Sequence, residues 1–169
     1  PIEEYIRRWY INDAKKILSG MKSLDIVGIT GSYGKTSMKF YLGELLNSQY
    51  NTLMTPESYN TPMGVVKTIR MMMKSTHEIF VCEMGARHVG DIKELCDIVN
   101  PHDAIITSIG PQHLETFGKI ENIISTKFEL GDAVNGKGKI LVNGDDENIR
   151  KGMGKYENVI TYGFSDNND

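Results

Sequence analysis

The sequence predicts an α/β fold: a three-layer domain with a mostly parallel sheet of about six strands and helices on both faces. Short apolar runs alternate with stretches of helical period along the whole chain. The runs, such as Ile79-Phe80-Val81-Cys82, are continuous rather than alternating, as expected of strands buried on both faces. One helical stretch directly follows a glycine-rich turn that itself follows an apolar run. The 169 residues are enough for one domain with a real core.

Ile2 to Leu18 reads as a helix, with Ile2, Tyr5, Ile6, Trp9, Tyr10 and Ile17 on one stripe and Ser19-Gly20 as its end. Leu24 to Thr30 reads as a buried strand. After Gly31 to Gly34 the period changes, and Met38, Tyr41, Leu42, Leu45 and Leu46 define a helical face. A short strand is expected near Asn51 to Met54, then a polar loop from Thr55 to Thr61. Pro62 suits the first turn of a helix reaching about Lys74. Glu78 to Met84 is a strand, and Asp91 to Val99 a helix stopped by Asn100-Pro101. Asp103 to Ser108 is a strand. Ile120 to Val134 is a helix with Ile120, Ile123, Ile124 and Phe128 inward. Lys139 to Asn143, Glu147 to Met153 and Asn158 to Gly163 complete the pattern as strand, helix and strand. Right-handed crossovers place all strand C-termini on one edge, where ligands bind in such sheets.

Composition excludes several classes. Lys plus Arg number 19 and Asp plus Glu 22, for a net charge of -3, which argues against a nucleic-acid surface. No apolar run is long enough for membrane insertion. The acidic opening Pro1-Ile2-Glu3-Glu4 is not a signal peptide, so a cytoplasmic location is expected. Cys82 and Cys96 have neither metal-site nor disulfide-framework spacing and read as reduced, buried thiols. The chain opens without Met and stops in Ser165-Asp166-Asn167-Asn168-Asp169, so it is expected to be a segment of a longer protein.

The strongest chemical signal is Thr30-Gly31-Ser32-Tyr33-Gly34-Lys35-Thr36-Ser37 between a strand and a helix. Glycines let several backbone N–H groups converge on one anion, and the helix N-terminus adds positive potential. Lys35 would reach the β- and γ-phosphates of a nucleotide, and the Thr36 hydroxyl would bind Mg²⁺. This makes the domain P-loop-type. The common pattern places another glycine where Ile29 stands. A plain strand-helix turn with an incidental Lys-Thr is the alternative.

The other strand ends point to the same edge. Glu83 is placed to bind Mg²⁺, although a carboxylate that is solvated or paired with Arg87 fits the pattern too. His113, in a Gly-Pro loop, could bind metal, move a proton or simply pack. Lys127 and Glu129 could lie on a solvated helix face. Asp146 could cap the helix that follows.

Together these segments resemble the Mur ligases, ATP-dependent amide-forming enzymes of peptidoglycan synthesis. The resemblance spans about Leu24 to Phe164. It rests on the loop at 30–37, Glu57-Ser58-Tyr59-Asn60-Thr61-Pro62-Met63-Gly64, Glu83-Met84-Gly85-Ala86-Arg87-His88, His113-Leu114-Glu115, Lys127-x-Glu129 and Asn143-Gly144-Asp145-Asp146. The family shares the missing first glycine. Glu-Met-Gly-Ala is similar to one branch, which adds D-Ala-D-Ala to UDP-N-acetylmuramoyl-tripeptide. The resemblance implies that Lys35 and Thr36 hold ATP and Mg²⁺, that Glu83 binds one magnesium ion, and that His113 and a carbamylated Lys127 bind a second. It implies adenine contact by Asn143. Asn60, Thr61, Arg87 and His88 would face the γ-phosphate and the UDP-muramyl-peptide. Residues 1–22 would lead in from an N-terminal domain. Residues 23–169 would form an incomplete central ATP-binding domain, with a C-terminal domain absent and the isolated piece inactive. Other Mur-type or folylpolyglutamate-type ligases, P-loop nucleotide hydrolases and non-catalytic nucleotide-binding modules are the competing classes. No base-reading Asn-Lys-x-Asp element of a GTPase is present.

Overall fold

The structure, a computed structural model, describes residues 2–166 and 168. Pro1, Asn167 and Asp169, part of the linker-like ends expected from the sequence, lie outside the described residues. In chain order the elements are α1 (Ile2–Ser19), β1 (Asp25–Thr30), α2 (Lys35–Asn47), β2 (Thr52–Met54), α3 (Pro62–Met72), β3 (Ile79–Glu83) and α4 (Asp91–Val99). They continue with β4 (Asp103–Ile106), α5 (Leu114–Phe117), α6 (Ile120–Val134), β5 (Ile140–Asn143), α7 (Glu147–Met153) and β6 (Val159–Tyr162). Each expected strand and long helix is present, with ends moved by a residue or two. The single turn of α5 was not expected, because four residues carry no readable period.

The strands form one sheet in the order β2-β3-β1-β4-β5-β6, and every neighbouring pair is parallel. The chain leaves β1 for β2 and β3 on one side, then crosses to β4 on the other. The order in which strands are added therefore reverses at β1, the kind of point where a crevice opens beyond the strand ends. Register aligns Ile29 with Glu83 and Thr30 with Ile106. The loops after β1, β3 and β4 consequently lie side by side.

Both faces carry helices, unequally. The larger core joins Ile26, Phe80, Cys82, Ile106 and Val142 of the sheet to Val65 and Ile69 of α3, Ile92 and Leu95 of α4, and Ile123 and Leu130 of α6. On the opposite face Ile29, Val81 and Ile105 meet Met38, Leu42 and Leu46 of α2. An open trough of about 560 Å³ lies beside α2, with Val27, Leu42, Leu46, Ile105 and Leu141 in its walls.

Two expected helix faces are corrected. Tyr41 and Leu45 of α2 are exposed, because only Met38, Leu42 and Leu46 reach the sheet. In α1, Ile2, Tyr5, Ile6 and Trp9 are exposed, and packing uses Tyr10, Ile11, Ala14, Ile17 and Leu18. The helix lies against α3 and α4: Arg70 of α3 holds Asp13 at 2.7 Å and Arg7 pairs with Glu94 of α4.

Cys82 and Cys96 are both buried, and burial pushes the Cys96 thiol up to about 12. Thiolate is the reactive form. Neither cysteine should react with Ellman's reagent in the folded chain, and both should react fully in denaturant. Rapid labelling of the native protein would show that this core is open.

Candidate functional site

Gly31, Ser32, Tyr33 and Gly34 make the turn from β1 into α2. Gly31 has φ 151° and Gly34 φ 81°, in the region that favours glycine. A side chain at Gly31 would also collide with the Thr107 hydroxyl. The turn is clamped to the end of β4. The Ser32 N–H donates to the Ser108 carbonyl at 2.7 Å, and the Tyr33 N–H to the Ser108 hydroxyl at 3.1 Å. The Thr107 hydroxyl donates to the Tyr33 carbonyl at 2.6 Å. Ser32 Oγ accepts from Gly110 N at 3.0 Å. The Tyr33 ring lies over Gly110.

No side chain caps α2 at Gly34. The N–H groups of Lys35, Thr36 and Ser37 have no acceptor within the helix, and its dipole adds positive potential. The Lys35 ammonium donates back to the carbonyls of Gly31 at 2.8 Å and Ser32 at 3.3 Å. Burial lowers its pKa, against the raising influence of Glu83. A helix N-terminus opening from such a turn is the kind of place that takes an anion.

Glu83 ends β3 and is 1% exposed. It is neither solvated nor paired with Arg87. The Thr36 hydroxyl stands 3.2 Å from both carboxylate oxygens. Asn60 Nδ2 donates to Oε1 at 3.0 Å, and Lys39 Nζ lies 3.0 Å from Oε2. Among the described residues, no group of three His, Cys, Asp or Glu converges on one point. A hydroxyl and a carboxylate beside a phosphate cradle nevertheless fit Mg²⁺, which takes few protein ligands and completes its shell with phosphate and water.

A cleft of about 470 Å³ opens beside the loop. Lys35, Asn60, Thr61, Arg87, His88, His113 and Lys127 all line it, so seven of the expected residues converge. Lys127 is 2% exposed, which overturns the solvated-face alternative. Burial, with Lys35 nearby, lowers its pKa to about 8, while Asp91 and Glu129 oppose the shift. Glu129 has a different task. Its oxygens accept from Gly90 N and Lys93 N, each at 2.8 Å, and so cap α4 from the neighbouring helix. Asp91 accepts from the N–H groups of Arg87 and His88 at 2.8 and 2.9 Å, fixing that loop. His113 has φ 56° and precedes α5. Thr61 caps α3 through Gly64 N at 3.3 Å.

Asn143 lies at the tip of β5, outside the residues lining the cleft, where its side chain accepts from Asp145 N at 3.0 Å. Asp146 caps α7, accepting from Asn148 N and Ile149 N. Sequence reasoning missed Lys39, Thr107 and Ser108. Lys39 follows Thr36 by three residues, a spacing that puts both on one helix face and could have revealed it.

The family described as the Mur ligase middle domain matches residues 29–169. The UDP-N-acetylmuramoyl-tripeptide–D-alanyl-D-alanine ligase of Mycobacterium tuberculosis is 36% identical over 133 residues, which cover 79% of this chain and 26% of the relative. The enzyme of the same name from Bacillus subtilis is 33% identical over 144 residues, covering 85% and 31%. The crystal structure of MurF ligase from Thermotoga maritima in complex with ADP superposes with a TM-score of 0.86 at 34% identity, covering 93% of this chain and 36% of that one. The chain thus spans between about a quarter and a third of the length of these relatives.

A lysine titrating near 8 when folded and near 10.5 when unfolded binds fewer protons in the folded state. Its burial therefore destabilises the fold fully below about pH 8, and the penalty fades as pH rises towards 10.5. Lys127→Met should be more stable than the parent at pH 7, by on the order of 2 kcal/mol. The gain should shrink above pH 8 in urea titrations. A difference independent of pH would contradict the assignment.

Proposed function

The chain belongs to the family of Mur ligase middle domains, and from that premise we propose that it is the ATP-binding part of a ligase joining D-Ala-D-Ala to UDP-N-acetylmuramoyl-tripeptide. The observation that carries this reading is the placement of Lys35 and Thr36 beside Glu83, at the head of a cleft that also holds Arg87, His113 and Lys127.

In the proposed reaction, a carboxylate oxygen of the muramyl peptide attacks the γ-phosphorus of ATP. ADP leaves, and an acyl phosphate forms. The amine of D-Ala-D-Ala then attacks the acyl carbon, phosphate leaves, and the nitrogen loses a proton. Such transfers depend mainly on positioning and charge stabilisation. The loop amides and Lys35 hold the phosphates, with Lys35 turning from the Gly31 and Ser32 carbonyls to the transferred group. Thr30, Ser32, Tyr33 and Ser37 complete the loop. Asn60, Thr61, Arg87 and His88 orient the γ-phosphate and the muramyl peptide, and Asn143 meets the adenine. Mg²⁺, held by Thr36 and Glu83 and at a second position by His113 and the carbamate formed on Lys127, would neutralise charge on the transferred phosphoryl group.

Carbamylation of Lys127 fits its surroundings. The neutral amine adds to carbon dioxide and releases a proton, and burial keeps a larger share of this lysine neutral than of an exposed one. On this reading residues 1–22 lead in from a domain that holds the UDP end, and residues 23–169 form most of the central domain. The location is the cytoplasm, where the nucleotide substrates are. No helix among the described residues is long and apolar enough to cross a membrane.

Calorimetry tests the nucleotide site. The chain should bind ATP in the presence of Mg²⁺, and Lys35→Ala should bind at least about tenfold more weakly. Equal binding by both would place the nucleotide elsewhere. In the intact ligase, phosphate release should depend on D-Ala-D-Ala, and dependence on a glutamyl acceptor would reassign the branch.

A further inference from the structure

We infer that Lys39 is a positioning residue, holding the Glu83 carboxylate against Thr36 and tying it to the 55–61 loop, so that Mg²⁺-dependent nucleotide binding requires it. This rests on the nucleotide site proposed above.

Lys39 is 0% exposed, an unusual state for a lysine. Taking an ammonium out of water is costly unless its protons and charge are matched. Two partners match it here. One is Glu83 Oε2 at 3.0 Å, and the other is the carbonyl of Glu57. Glu57 has φ 43°, a backbone region that favours glycine, so its carbonyl is held where the chain would not place it unaided.

The same loop reaches Glu83 elsewhere. Asn60 Nδ2 holds Oε1, the Thr55 hydroxyl accepts from Glu83 N at 3.0 Å, and the Asn60 carbonyl accepts from Gly85 N at 2.8 Å. The phosphate helix, the tip of β3 and the substrate-facing loop therefore meet at one ammonium. With Asn60 on one oxygen and Lys39 on the other, the carboxylate cannot turn, and both oxygens stay equidistant from the Thr36 hydroxyl. Lys39 follows Thr36 by three residues on α2, so helix geometry delivers hydroxyl and ammonium to the same carboxylate. Lys39 does not line the cleft, so its influence passes through Glu83 and the loop.

A fluorescent ATP analogue titrated with Mg²⁺ and with EDTA, against the chain, Lys39→Met, Glu83→Gln and the double variant, tests this. Lys39→Met should lose at least about tenfold of the Mg²⁺-dependent affinity, and stay within about twofold of the parent in EDTA. In the Glu83→Gln background the same substitution should change affinity by less than about twofold. Three results overturn the inference: an unchanged Mg²⁺ enhancement, an equal loss with and without Mg²⁺, or a full loss in the Glu83→Gln background. A parent without any Mg²⁺ enhancement would sink the nucleotide site itself, and Lys39 with it. If Lys39→Met does not fold, nitrogen-15 spectra of the unsubstituted chain decide. The Lys39 ammonium signal should shift when Mg²⁺ joins the nucleotide, and an unmoved signal overturns the proposal.

Discussion

A single buried carboxylate organises the working edge of this molecule. Glu83 sits at the end of a central strand with almost no water contact, and an unmatched charge there would be costly. Its partners come from separate parts of the chain: Thr36 and Lys39 from α2, and Asn60 from the loop after β2. Satisfying that carboxylate therefore fixes how the turn at 31–34, the sheet and the loop at 55–61 stand relative to one another.

The sheet makes that convergence achievable. Because β3 inserts between β2 and β1, the segment after β2 passes directly over the tip of β3. Because β4 flanks β1 on the other side, Thr107 and Ser108 clamp the phosphate turn with hydroxyl and backbone groups. The turn is held from both neighbours before any ligand arrives, which lowers the ordering cost of binding an anion. The cleft beyond it gathers Lys35, Arg87 and Lys127 in a protein of net charge -3. On the proposed function these three cations, with Asp91 and Glu94 beside them in the same cleft, stand where phosphoryl charge would be handled.

Much of this was legible in the residues. Continuous apolar runs and helical periods locate the strands and long helices, and the common edge of a parallel sheet points to Glu83 and His113, whereas Asn60 and Lys127 are singled out only by the family resemblance. Patterns of period could not show which way α2 and α1 roll, so Tyr41, Leu45 and Trp9 were placed inward when they face outward. Nor could they distinguish Lys127 from Glu129. Both stand on α6, yet one is sealed against the cleft and the other reaches across to cap α4. Lys39 escaped notice because a lysine in a helix ordinarily signals a solvated face, and its burial depends on a carboxylate 44 positions later in a chain numbered to 169. Asn143, whose adenine contact is expected from the resemblance alone, holds a local turn through Asp145 N.

On the proposed function, nucleotide phosphates bind the turn between β1 and α2. Backbone amide spectra recorded as ATP and Mg²⁺ are added test it most directly. The largest shifts should fall on Gly31 to Ser37, with smaller ones at Glu83 and in the loop carrying Asn60. Shifts centred on Val27, Ile105 and Leu141, in the apolar trough beside α2, would contradict it.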